Sequence, residues 1–401
     1  MNTVPHYERS LAGIRVVELA SLIAGPMIGM MLGDHGAEVI KVEQPGAGDG
    51  LRGWGNRKNG VGLYHKMLNR NKRSVTADLR TPLGVEIVRR LVQDADVVIE
   101  SFRPGTLESW GLGFDDLAAI NPGIVLVRIS GYGQTGPNSS RPGFGTLAEA
   151  STGFAYANGY ADRPPLLPSF AVADTTTGLS GAFLTLAALR ARDRTGRGQV
   201  VDLAIYETLL TMLGPHVLDY DQLGLVQERT GSRLPIVSPR NAFRTRDEKW
   251  VAISAGSQSI FERLCEALDI QVVGHDPRFA SNLLRRENID VLEDTLQQAF
   301  LGFDQAEILA RLEVHQAAAG PICSVADVYN DPHLRARGSI VGVHDEELGC
   351  ELHMQNAIGL LSRTPAHIDA PGPALGADNR EILLGRLGFA ADELIAGGLA
   401  L

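Results

Sequence analysis

The stretch that decides the fold is Arg15-Val16-Val17-Glu18-Leu19, followed by Gly25-Pro26 and then Ala37-Glu38-Val39-Ile40-Lys41-Val42-Glu43. Two short runs rich in β-branched residues flank a segment that a Gly-Pro turn opens and that reads as helix to about residue 32. This is a βαβ unit with parallel strands. An amphipathic helix over 82–93 precedes a third strand at 95–100. A further strand over 124–130 ends in Gly131-Tyr132-Gly133, and another covers 200–205. Strands alternating with helices predict an α/β protein with an open, doubly wound, Rossmann-like parallel sheet. Ligands on such sheets bind at the carboxyl ends of the strands, where these Gly-rich turns lie.

The second half changes character. A helical connection is expected over 206–225, a loop over 228–239, a strand at 250–254, a helix at 258–268 and a charged, helix-rich stretch over 285–312. The resulting division is a large domain over 1–205, a linker over 206–225, a smaller α+β domain over 226–325, and a return to the large domain over 326–401. Strand patterns reappear there at 339–343 and 352–355, and a terminal helix is expected at 378–387. The large domain is thus built from both chain ends.

With 401 residues, 44% hydrophobic and 21% charged, the composition is that of a globular protein with ample core. The net charge of −10 gives no overall footprint for nucleic acid. Cys265, Cys323 and Cys350 are far apart and match neither a zinc site nor a disulfide frame, so no metal is expected. The polar, mixed-charge N-terminus does not read as a signal peptide, and the apolar stretch over 20–32 is broken by Gly25, Pro26 and Gly29. A cytoplasmic location with no membrane partner is the expectation.

No GxGxxG follows the first strand, and GxxxxGK[ST], HExxH and GxSxG are all absent. Glu43 only loosely matches the acidic residue that would hold a ribose. Asp174 stands out instead, in Leu167-Pro168-Ser169-Phe170-Ala171-Val172-Ala173-Asp174-Thr175-Thr176-Thr177-Gly178. An apolar strand there would run into a small-residue helix over 175–192, with Asp174 as its N-cap. A carboxylate at that position faces orphan backbone N–H groups, which suits a nucleophile that attacks acyl groups. An ordinary helix cap has the same sequence. Positive groups at Lys72, Arg73, Arg80, Arg103 and Arg141 would suit an anionic, phosphate-bearing ligand if they lie on loops, and solvated loop charges read the same way.

Several stretches together resemble the class III CoA-transferase family, also called CaiB/BaiF. They include Val17-Glu18-Leu19 through Ala24-Gly25-Pro26, Asn69-Arg70-Asn71-Lys72-Arg73-Ser74 and Ser101-Phe102-Arg103-Pro104-Gly105. Gly131-Tyr132-Gly133-Gln134-Thr135-Gly136-Pro137, Ala173-Asp174 and Thr195-Gly196-Arg197-Gly198-Gln199 follow in order, with Asp331-Pro332-His333-Leu334 near the end. The similarity spans essentially the whole chain. It implies that Asp174 is the nucleophile, passing through an aspartyl anhydride and an aspartyl-CoA thioester. It implies CoA contacts from Ile23, Ala24, Gln44, the Ala77–Arg80 turn, Ser101, Phe102 and Arg103, with Arg141 as a further phosphate partner. CoA and acyl-CoA would be substrates, and no tightly bound cofactor is expected. Family members often carry a basic residue where Gln44 stands, and some an Arg where Ser109 stands. The resemblance further implies a homodimer of interlocked rings.

Racemases of the family use a His–Asp pair where this chain has Phe144 and Gly145. Phenylalanine carries no proton, so the resemblance favours transfer over racemisation. The formyl-CoA transferase glycine run before the small domain is also missing. The region 141–153 is most similar to members that handle dicarboxylic acids with succinyl-CoA as donor, and Arg233 and Arg240 are candidates for a distal carboxylate. A nucleotide-dependent oxidoreductase and a catalytically silent CoA-binding protein are the alternatives of different class.

Overall fold

The computed structural model describes residues 9–401, which divide into two compact units. The first unit comprises the chain up to Phe154, Leu167–Val217 and His333–Leu401; the second comprises Ala155–Leu166 and Leu218–Pro332.

Six strands form the sheet of the first unit: β1 (Arg15–Glu18), β2 (Glu38–Glu43), β3 (Lys72–Thr76), β4 (Val97–Glu100), β5 (Val125–Ser130) and β6 (Val200–Ala204). Their order is β3-β2-β1-β4-β5-β6, all parallel. The order reverses between β1 and β4, the switch point at which such sheets open a crevice. In register, Val16 lies between Val39 and Val97, and Val17 between Ile40 and Val98. The two rows serve opposite faces, each covered by its own core. Val16, Val39 and Val97 pack with Ile28 and Leu189, while Val17, Ile40 and Val98 pack with Ile87 and Leu91. Burial on both faces is why these strands read as continuous apolar runs.

The helices that matter for the site are α1 (Ala24–Asp34), α2 (Leu63–Leu68), α3 (Pro82–Val92), α4 (Gly145–Ser151) and α5 (Val172–Thr195). Thr81 caps α3 by accepting from Gly84 N, and Pro82 stands in its first turn. Helix α5 ends on Gly196 in the left-handed region, the usual stop signal.

Three local expectations change. No strand precedes Asp174: residues 167–171 form no strand, and the helix already begins at Val172. The connection expected as one helix over 206–225 is two, Ile205–Thr211 and His216–Leu223, parted at Gly214 with φ +61°. Lys72 and Arg73 lie inside strand β3 and not on a loop; a charge within a buried strand hides its period from the sequence.

The chain returns to the first unit through an antiparallel hairpin, Ile340–Asp345 with Cys350–Gln355. A helical segment, Arg380–Arg386, follows. The return is fastened to the outer strand: the Asp378 carboxylate accepts from Ser74 N at 2.8 Å, and Asn379 Oδ1 accepts from Thr76 N at 2.8 Å.

The second unit has a three-stranded antiparallel sheet of Arg240–Arg244, Trp250–Ser254 and Ala319–Pro321. Helices including Gln258–Ala267, Ile289–Phe300 and Gln305–Val314 bury Phe261, Leu292, Leu296 and Phe300 against it. Arg285 is fully buried and donates to the carbonyls of Ser238, Phe279 and Gly256 and to Gln258 Oε1. Tyr156 joins this unit by donating to Glu228 Oε1 at 2.7 Å.

Candidate active site

At the carboxyl end of β1 the chain makes a turn, Ala20–Ile23, that divides two clefts of the first unit. Ala20 and Ser21 face one cleft of about 420 Å3 together with Gln44, Ala77, Arg80 and Phe102. Leu22 and Ile23 face the other, about 670 Å3, together with Phe144, Glu149, Phe170 and Asp174.

Ionic groups beneath this turn fix its shape. Leu22 takes a left-handed backbone conformation, φ +66°, at a cost that other contacts must offset. Its N–H donates to the Asp49 carboxylate at 2.9 Å, and Asp49 also accepts from Leu51 N. Lys41 Nζ lies 2.8 Å from Asp49 Oδ2 and donates to Glu18 Oε1 and to the Ala20 carbonyl. Lys72 Nζ bonds Glu18, the Pro26 carbonyl and Asn69 Oδ1. Glu18 and Lys41 are directly paired across β1 and β2.

Burial pulls the Lys41 ammonium down, but Glu18, Asp49 and Glu43 outweigh it and raise its pKa. Lys72 shares Glu18 with Lys41, so burial wins there and its pKa falls to about 8. Burial also pushes Glu43 up, yet the Arg52 guanidinium and Lys41 bring it to about 2. Gly29 belongs to the same arrangement. A Cβ there would fall 1.9 Å from Glu18 Oε2, so the glycine lets α1 lie on a buried carboxylate.

Asp174 is the third residue of α5, not its N-cap; Ala171 is the N-cap, and no side chain caps the helix. The carboxylate still lies in the first turn, on the favourable side of the helix dipole. Burial, and next the charge of Glu149, push its pKa up to about 6. Glu149 is buried and accepts from Ala173 N at 3.4 Å. The Asp174 charge also reaches Tyr64 of α2, whose phenol is raised by burial first and by that charge second. Phe144 stands 60% exposed at the cleft, the residue before Gly145.

The other expected site residues distribute as follows. Gln44, Ala77, Arg80 and Phe102 line the first cleft, and Ser101 Oγ accepts from Ser21 N at 3.1 Å. Ile23 lines the Asp174 cleft, and Ala24 begins α1 beside it. Arg80 is exposed and pairs twice with Asp78, at 2.8 Å each. Arg103 is exposed and lines neither cleft. Arg141 lines a third cleft with Tyr132, Thr135 and Tyr206. In the second unit, Arg233 is already paired with Glu293 and Asp290 at 2.7 Å each, and Arg240 donates to the Ser232 carbonyl. Among the described residues no cluster of His, Cys, Asp and Glu could hold a metal ion, and no helix is long and apolar enough to cross a membrane.

Glu149, Gly145, Tyr64, Asp49 and Lys41 escaped the sequence reading as site residues. For Lys41 the signal was there: Glu18 and Lys41 are charges inside otherwise apolar strands, and buried charges require partners. Glu149 had only its spacing of four from Gly145.

The family model for CoA-transferase family III matches residues 11–379. The chain belongs to this family. Over 387 residues it is 44% identical to the succinyl-CoA–D-citramalate CoA-transferase of Chloroflexus aurantiacus, covering 96% of each protein. It is 35% identical to the succinate–glutarate CoA-transferase of Agrobacterium fabrum, covering 96% of this chain and 97% of that one. The crystal structure of a CaiB/BaiF family protein from Brucella suis superposes with a TM-score of 0.83 at 35% identity, over 94% of this chain and 99% of that one. Membership in CoA-transferase family III makes the chain an enzyme of the CoA-transferase class and sets aside the oxidoreductase alternative.

Proposed function

We propose that this CoA-transferase moves CoA from succinyl-CoA to a dicarboxylic acid, with Asp174 as the acyl carrier. The observation that carries the mechanism is a half-buried carboxylate in an apolar cleft, immediately across the β1 turn from a second, more polar cleft. In this reading the second cleft takes the nucleotide end of CoA. Gln44, Ala77, Arg80 and Phe102 contact it, Ser101 acts through the Ser21 amide, and the thioester crosses the turn past Ile23 and Ala24. Arg103 and Arg141 lie outside that cleft and are assigned to outlying phosphate contacts.

Asp174 attacks the succinyl carbonyl and expels CoA thiolate, leaving a mixed anhydride. The thiolate captures the aspartyl carbonyl and releases succinate. The acceptor carboxylate then attacks the enzyme thioester, and CoA thiolate returns to the acceptor's acyl group. Little of this needs a proton, which suits a site whose exposed neighbour is Phe144. The relatives named for D-citramalate and glutarate point to a dicarboxylate acceptor. Within the second unit, Arg233 is occupied by two carboxylates and Arg240 by the Ser232 carbonyl.

We infer a homodimer, interlocked as the family resemblance implies. Its support in the single chain is the apolar surface of Leu218, Tyr220 and Leu223, each at least 63% exposed. Light scattering on the purified chain tests it, a monomer mass being the contrary result. For the substrate, succinyl-CoA is offered with citramalate, malate, glutarate or acetate and the products are resolved by mass. Preference for a dicarboxylate is expected; equal use of acetate overturns that part of the reading.

A further inference from the structure

Helix α4 turns two positions one helical turn apart toward the start of α5. The first is Gly145, where a Cβ would fall 2.4 Å from Asp174 Oδ2 and 3.4 Å from Ala173 Cβ. The second is Glu149, 4% exposed, whose Oε1 accepts from Ala173 N. No lysine or arginine pairs with Glu149 among the described residues. A buried carboxylate without a cation is costly, and placing it beside a second carboxylate costs more. A glutamine would accept from the same amide through its carbonyl oxygen, so the backbone contact does not require the charge.

We propose that Glu149 is a positioning residue for acyl transfer: its carboxylate, held against the first turn of α5, disfavours ionised Asp174 relative to its two uncharged acyl forms and so draws the enzyme into the acylated states. This rests on the reading of Asp174 as the nucleophile. In the first step an Asp174 oxygen forms a bond to the acyl carbon, the C–S bond breaks, and the electron pair leaves on the CoA sulfur. In the second, that sulfur bonds the Asp174 carbonyl carbon, the anhydride C–O bond breaks, and the pair leaves on succinate. No oxidant, reductant or net proton is needed. In both products the negative charge has left Asp174 for a mobile group, so the repulsion from Glu149 is relieved.

The raised pKa of Asp174 agrees, with burial its first cause and Glu149 its second. The titratable groups that face Asp174 are Glu149 from α4 and Tyr64 from α2. Leu22, Ile23, Pro168 and Phe170, which line the same cleft, bring none.

The test uses the full-length chain and the variants Glu149→Gln, Glu149→Met, Glu149→Asp and Asp174→Ala. Each is incubated with succinyl-CoA without acceptor from pH 5 to pH 9, and the fraction carrying succinyl or CoA is read by intact mass. Loss of one pKa unit of coupling predicts a charging constant about ten-fold lower in Glu149→Gln. The pH midpoint for charging is expected to move toward acid at the same time. Glu149→Met repeats both changes, and Glu149→Asp, which keeps the charge, restores most of the charging. A wild-type constant and midpoint in either folded uncharged variant overturns the proposal. So does reduced charging at every pH with an unmoved midpoint, the signature of a packing role. Absence of any Asp174-dependent adduct on the wild-type chain instead overturns the nucleophile reading itself.

Discussion

The carboxylate of Asp174 lies so close to the backbone of Gly145 that a Cβ there would stand 2.4 Å from Oδ2. Gly145 is the first residue of α4 and is buried, and the atoms a Cβ would meet first are those of the Asp174 carboxylate itself. The Gly145→Ala variant is therefore expected to fold and to lose kcat by about 100-fold, since misplacing a reacting group by about 1 Å costs that much. Circular dichroism with a steady-state CoA-transfer assay checks this. Wild-type turnover in a folded variant would show that the Asp174 rotamer is not the reacting one.

Asp174 should trade stability for reactivity. Its folded pKa is raised to about 6 by burial and Glu149, so the ionised form destabilises the folded state at every pH above that value. The penalty disappears as pH falls through about 6 toward the ordinary carboxylate range, where the acid is neutral in both states. Asp174→Asn is thus expected to be more stable than wild type at pH 7.5, by up to about 3 kcal/mol, with the difference gone below about pH 4. Denaturant unfolding across that range measures it. The same titration predicts that single-turnover acylation by the wild type falls off below about pH 6.

The parallel sheet, though not its strand order, was legible because five of its six strands announce themselves as apolar runs at βαβ spacing. The sixth, Lys72–Thr76, begins with two cations and becomes recognisable only once Glu18 and Asn69 are seen to receive Lys72. For the site, the sequence singled out Asp174 but misplaced it as an N-cap, because the Pro-bounded apolar segment before it imitates a strand. Glu149 and Asp49 were missed for a different reason. Their roles depend on which backbone amides face them, Ala173 N and Leu22 N, and no linear spacing encodes that.

Removing Asp49 tests whether the ionic groups under the turn serve the site. Asp49→Ala leaves Lys41 short of one carboxylate and Leu22 N–H without its acceptor, and an expected loss of about 3–5 kcal/mol follows. Replacing both partners, Lys41→Met with Asp49→Leu, should recover much of that stability while leaving KM for succinyl-CoA raised, because Leu22 has lost its anchor. Thermal unfolding and steady-state kinetics on the pair of variants separate the two effects. A double variant with wild-type KM would confine the ionic groups to folding.

Phe144 at the cleft implies that no α-proton is exchanged. Incubation with a 2-methylacyl-CoA in D2O should leave the α-position unlabelled while CoA transfer proceeds. Deuterium incorporation at a rate comparable to transfer would return the racemase reading to contention.

The most direct measurement is covalent trapping at Asp174. The full-length chain is incubated with succinyl-CoA alone, quenched with hydroxylamine, digested, and the peptide bearing Asp174 is weighed against that from an unreacted control. The acyl-carrier account predicts a hydroxamate on Asp174 that forms only with the thioester present and is lost when an acceptor acid is added first. An unmodified Asp174 peptide, from a preparation that transfers CoA once an acceptor acid is supplied in a parallel tube, would contradict it.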